Sequence, residues 1–129
     1  MRVLVDTHVL IWMATENRSR LSSLAVNMVG SKENEVWFSA ISILEIAIKQ
    51  SLGRADFALD AAAIRDAFLE LDFRELTVNG IQSAFVARLP LIHRDPFDRL
   101  LVAQANVEGM TLITADEEIA RYPGPILKI

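Results

Sequence analysis

Apolar positions along this chain alternate between short unbroken runs and stripes with helical spacing. "RVLV" (2–5) reads as a strand buried on both faces. "HVLIWMA" (8–14) follows it as a helical segment, and a second helix is expected from Ser19 to Val29, closed by Gly30. The polar loop "SKENE" leads into a strand "VWFS" (36–39), and Ser39 caps a long helix over 40–52 with Gly53 as its stop. Asp60 caps a helix running to Leu71, and "FREL" (73–76) is a short strand. Thr77 or Asn79 opens a helix ending before Pro90. Asp95 as N-cap and Pro96 at the first helical position start a helix over 96–108, terminated by Gly109. "TLIT" (111–114) is a strand, Asp116 starts a short helix, and "PILK" (125–128) closes the sheet.

Strands alternating with helices at this spacing imply right-handed crossovers and a mostly parallel sheet. The expected architecture is an α/β fold, a three-layer α/β/α sandwich with about five strands. Ligands in such folds bind in the crevice beyond the carboxyl ends of the strands.

Two acids break the apolar pattern. Asp98 precedes Leu101, Val102 and Ala105 by three, four and seven residues, at the head of their stripe. Glu45 projects beside Ile41, Ile48 and Leu52, within another. An unpaired charge in such a place costs several kcal/mol, about what burial of an ion demands. Asp6 directly follows the first strand and Asp116 stands two residues after "TLIT", so all four acids belong to the same rim of the sheet. Clustered carboxylates repel one another unless a cation joins them. Lys49, one turn beyond Glu45, compensates in part; Mg²⁺ or Mn²⁺, hard ions that prefer oxygen ligands, would do so better. Such an ion binds a phosphodiester oxygen, lowers the pKa of a water and stabilises a leaving alkoxide.

Composition narrows the choice. The 129 residues are 52% hydrophobic and 23% charged, which suits one globular domain over 1–129. There are no cysteines, and two histidines are too few for an easy zinc cage. Asp6 and His8 interrupt the apolar N-terminus too early for a signal peptide, so a cytoplasmic protein is expected. The net charge of −4 and pI near 5.1 oppose nucleic-acid binding unless a local cationic patch works against them. Lys49, Arg94 and Arg99 flank the proposed cleft and supply that patch, or are solvated or ion-paired charges.

Each acid has a structural alternative. Asp98 in the first helical turn complements the helix dipole, and Asp116 caps "EEIARY". Asp6 suits an Asx-turn, and Glu45 a buried pair with Lys49 or an arginine. Asp95 is assigned to capping alone. His8 and His93 are read as structural histidines with direct chemistry a secondary option, and Trp12, Trp37 and Phe38 as core.

"VDTHVLIW", "SAISILEIAIKQSLGR" and "HRDPFDRLLVAQA…LITAD" resemble the PIN-domain ribonucleases, most closely the VapC-type toxins of bacterial toxin–antitoxin pairs. The likeness runs from Met1 to Ile129. It implies a parallel-sheet α/β/α fold and an endoribonuclease using Mg²⁺ or Mn²⁺. It also implies an acidic quartet on Asp6, Glu45, Asp98 and Asp116, with Thr7 and Thr114 supporting the metal shell. A homodimer, a cognate antitoxin and an RNA substrate follow from the same resemblance. Ile43 and Ile46, on the side of their helix away from Glu45, and the surplus apolar surface of "LIWMA" give a partner physical room, or pack within the domain. Two rivals share the acidic rim or the RNA: a receiver-like phosphoacceptor domain and a catalytically silent RNA-binding module.

Overall fold

A computed structural model describes residues 1–53 and 58–129; Arg54, last residue of the second family-like stretch, lies outside them. The first strand, β1 (Arg2–Val5), leads directly into α1 (Thr7–Ala14). A 3-10 turn (Glu16–Arg20) and α2 (Ser23–Gly30) follow, then β2 (Glu35–Ser39) and α3 (Ala40–Ser51). The middle of the chain forms α4 (Ala61–Glu70), β3 (Arg74–Leu76), α5 (Gly80–Phe85) and a 3-10 turn (Val86–Arg88). It ends with α6 (Pro96–Glu108), β4 (Thr111–Thr114), α7 (Glu117–Ala120) and β5 (Ile126–Lys128).

Among the described residues the sheet has five strands in the order β3-β2-β1-β4-β5, with every pairing parallel. The expected α/β/α architecture is therefore observed. Alternation along the strands divides the core: Val3 and Val5 of β1 pack with Phe38, Ile46 and Phe68, whereas Leu4 packs with Leu101, Val102 and Leu112 on the opposite face. Burying one such side chain contributes about 1.5–3 kcal/mol, so the two-sided packing of β1 fixes its central place. Chain order runs outward from β1 through β2 to β3 on one side and through β4 to β5 on the other. That reversal opens a crevice beyond the ends of β1 and β4. A receiver-like order, 2-1-3-4-5, would put β3 beside β1, so the sheet excludes that rival.

Two details differ from the sequence reading. The helix expected over 19–29 is divided, because Ser22 caps α2 by accepting from the Ala25 N–H, and Thr15 separately caps the preceding 3-10 turn. In α3, Ile48 and Leu52 do not share the buried side of Glu45; they are 41% and 65% exposed, and Glu45 is buried instead with Ile41 and Ser42. The physical reason is that the C-terminal end of α3 is open to solvent. Ile46 enters the core and Ile43 packs against it.

Helix α6 is tied to the start of α3 by a buried polar chain. The Ser39 hydroxyl, which caps α3, donates to Gln104 Oε1 at 2.6 Å, and Gln104 Nε2 donates to Gln82 Oε1 at 3.0 Å. These bonds fix the two helices that carry Asp98 and Glu45. Gly109, in the left-handed conformation at φ 66°, then lets the chain leave α6 and enter β4. Replacing Gln104→Leu leaves the Ser39 and Gln82 groups buried without this partner. The expected loss is about 1–3 kcal/mol in urea denaturation, with unchanged far-ultraviolet circular dichroism.

Candidate metal centre

The crevice collects its acids from four elements. Asp98 lies in the first turn of α6 because Asp95 caps that helix, its Oδ1 accepting from the Phe97 N–H at 2.9 Å. Cap and third helical position are neighbours, so the Asp95 carboxylate shares the helix start with Asp98. One ligand atom from each of Glu45, Asp95 and Asp98 lies within 4.8 Å of the others. His93, Asp98 and Asp116 form a second set of the same compactness, and Asp98 belongs to both.

Asp6 belongs to neither set, although its charge acts on Asp98. Its Oδ1 accepts from the Val9 N–H at 2.8 Å, capping α1, and its Oδ2 accepts from the Thr114 hydroxyl. Thr114 in turn accepts from the Asp116 N–H at 3.0 Å, so one buried hydroxyl spans the two acids that end β1 and β4. Thr7 and Ser42 share a buried hydroxyl contact of 2.8 Å that joins the first turns of α1 and α3. The Asx-like cap expected at Asp6 and the cap expected at Asp116 both exist, and both residues nevertheless border the crevice.

The cations are placed unevenly. Lys49 Nζ is 3.2 Å from Glu45 Oε2, the pairing anticipated from their spacing. Arg94 is exposed. Arg99 instead donates to the chain's own carbonyls, Val86 O at 3.0 Å and Leu89 O at 3.5 Å. His8 is exposed on α1. His93 is inside the crevice, its Nε2 3.1 Å from Asp98 Oδ2, 3.5 Å from Glu118 Oε2 and 3.8 Å from Asp116 Oδ2. Asp95, expected only as a cap, is that cap and also joins a compact acidic set, and His93, expected as a structural histidine with chemistry a secondary option, faces Asp98. The three-residue spacing between Asp95 and Asp98 was the available signal for the first.

Electrostatics record the crowding. Asp98 is only 6% exposed, and its pKa is raised from 3.8 to about 7, first by burial and then by the charges of Asp95 and Glu45. Burial also raises Asp6, against the opposing hydrogen bonds from Thr114 and Val9. An all-oxygen donor set whose central member has its carboxyl pushed up fits a hard divalent cation, because such an ion would supply the charge that the protein lacks.

Residues 3–125 match the sequence model of the PIN domain. The chain belongs to the PIN-domain family. It is 30% identical over 127 residues to "Ribonuclease VapC22" of Mycobacterium tuberculosis (strain ATCC 25618 / H37Rv), covering 96% of this chain and 95% of that protein. The fold of this PIN domain is also similar to VapBC2 from Rickettsia felis, solved bound to a DNA fragment from its promoter, with TM-score 0.68, 16% identity, and 99% and 98% of the two chains covered. VapBC-5 from Mycobacterium tuberculosis, a toxin–antitoxin structure, aligns with TM-score 0.62 and 20% identity over 99% of this chain and 97% of that one.

In metal-free buffer the raised Asp98 carboxyl holds a proton that the unfolded chain releases. Its stabilising contribution is complete below about pH 4 and is lost as pH rises towards about 7. Denaturation across that range is expected to show the Asp98→Asn variant gaining stability relative to the parent as pH rises. A constant difference between the two would contradict the assignment.

Proposed function

We propose that this PIN domain is a divalent-metal-dependent endoribonuclease that hydrolyses RNA phosphodiester bonds, and that it is the toxin of a toxin–antitoxin pair. The observation that carries the reading is the meeting of two compact ligand sets at one buried aspartate, Asp98. The similarity to Ribonuclease VapC22 over nearly the whole chain supports RNA as the substrate class.

Glu45, Asp95 and Asp98 would hold Mg²⁺ or Mn²⁺, with Asp116 beside them and Asp6 acting through water and through its charge. The bound ion supplies Lewis-acid neutralisation of the phosphate and a water of lowered pKa. The protein's own groups do the rest. The rim acids orient and accept a proton from the attacking water, and Thr114 keeps Asp6 and Asp116 in register. Lys49 and Arg94 offer positive charge to the RNA backbone, while Arg99 steadies the turn after α5. No covalent enzyme intermediate is required.

A silent RNA-binding module would have no need to bury acids that weaken affinity for phosphates. No helix among the described residues is long and apolar enough to cross a membrane, in keeping with a protein acting on RNA in the cytoplasm. The exposed side chains of Leu44, Ile48, Leu52, Ile81 and Leu91 offer apolar surface for a second copy and for an antitoxin.

The test is cleavage of a structured RNA pool by the purified chain. EDTA is expected to stop cleavage and Mn²⁺ to restore it. Asp98→Asn should lower the rate by more than about 100-fold, beyond the usual cost of losing a supporting partner. Wild-type rates from the Asp98→Asn variant, or undiminished cutting in EDTA, would overturn the proposal.

A further inference from the structure

His93 is braced at several points. Its backbone N–H donates to the Tyr122 hydroxyl at 2.7 Å, and the same hydroxyl donates back to the His93 carbonyl at 3.3 Å. Tyr122 itself is 4% exposed, in the core beside α7. The ring is fixed as well, because Nδ1 accepts from the Asp95 N–H at 3.1 Å. A ring nitrogen that accepts carries a lone pair, so the proton of the neutral imidazole is on Nε2.

Two roles are open to a histidine here. Nε2 belongs to a set compact enough to ligate a metal with Asp98 and Asp116. Ligation needs the Nε2 lone pair, however, and would put the proton on Nδ1, opposite the Asp95 N–H. Two hydrogens would then point at each other between nitrogens only 3.1 Å apart. The alternative keeps every group satisfied: the Nε2 proton is surrounded by carboxylate oxygens, with Asp98 Oδ2 nearest at 3.1 Å.

We infer that His93 is a positioning residue for Asp98, presenting its Nε2 proton to Oδ2 while Tyr122 and the Asp95 amide hold the ring in that tautomer. The inference rests on the metal-binding reading of Asp98. Asp98 would be steadied by a group outside the ion's coordination sphere, while Glu45, Asp95 and Asp98 would hold the cation. Partners of this kind set the orientation and basicity of the groups that ligate metals.

Calorimetric titration of the full chain with Mn²⁺ tests it, together with electron spin-echo spectroscopy of the bound ion. His93→Ala is expected to weaken Mn²⁺ binding by about tenfold. His93→Gln, which returns an N–H at similar reach, should recover most of that loss, and Tyr122→Phe should give a smaller loss than His93→Ala. The wild-type ion should show no directly coordinated nitrogen. A ligated-imidazole nitrogen signal, wild-type affinity in the His93→Ala variant, or a His93→Gln variant as weak as His93→Ala would overturn the positioning role. A wild-type chain that binds no Mn²⁺ overturns the metal reading and this inference with it; binding by the wild type that is unchanged in His93→Ala overturns this inference alone.

Discussion

Negative charges brought within a few ångströms of each other in a protein interior repel, and the fold must then supply a cation or a proton. Glu45, Asp95 and Asp98 are in that position, and Asp98 is shared with the set formed by His93 and Asp116. Burial, and after it the charges of Asp95 and Glu45, push the Asp98 carboxyl up to about 7. Lys49 answers part of the charge at Glu45, and hydrogen bonds from Val9 and Thr114 answer part of it at Asp6. Among the described residues Asp98 Oδ2 faces only the His93 ring at 3.1 Å, so it is the point at which a divalent ion would contribute most.

The rest of the architecture serves to hold these groups where they would not stay by themselves. Packing β1 on both faces, with successors on either side, opens the crevice between the ends of β1 and β4. Thr114 connects the acids of those two strands, and Thr7 with Ser42 connects the starts of α1 and α3. The Ser39–Gln104–Gln82 chain fixes α6 against α3. Each bond is worth about 1 kcal/mol net, yet together they define the separation of Asp98 and Glu45. Function at the rim is thereby coupled to polar groups buried well inside the layers.

Much of this was legible in the sequence because the controlling signals are local. Asp95-Pro96 fixes the start of α6 to the residue, and the spacing of Leu101, Val102 and Ala105 then places Asp98 inward. Burial of Glu45 was likewise legible, although the companions expected for it at Ile48 and Leu52 depend on where α3 leaves its neighbours, a property of tertiary packing. The Asp-Pro start accounts for Asp95 as a cap, yet a carboxylate has two oxygens, and only Oδ1 caps. The place of His93 beside the crevice is not legible locally, because it depends on Tyr122, 29 residues away, and on Asp116 on another element. Gln104 gave no sign, since one amide in an apolar stripe has no periodic signature. For Asp6, expected as a ligand directly or through water, each carboxylate oxygen accepts one hydrogen bond from the protein, a detail of tertiary contact with Thr114 that no local pattern carries.

Diffraction from crystals grown with Mn²⁺, recorded near the manganese absorption edge, addresses the central claim most directly. The account predicts an anomalous peak among the carboxylate oxygens of Glu45, Asp95 and Asp98. No peak in the crevice, or one bound elsewhere while these three carboxylates remain as they are, would contradict it.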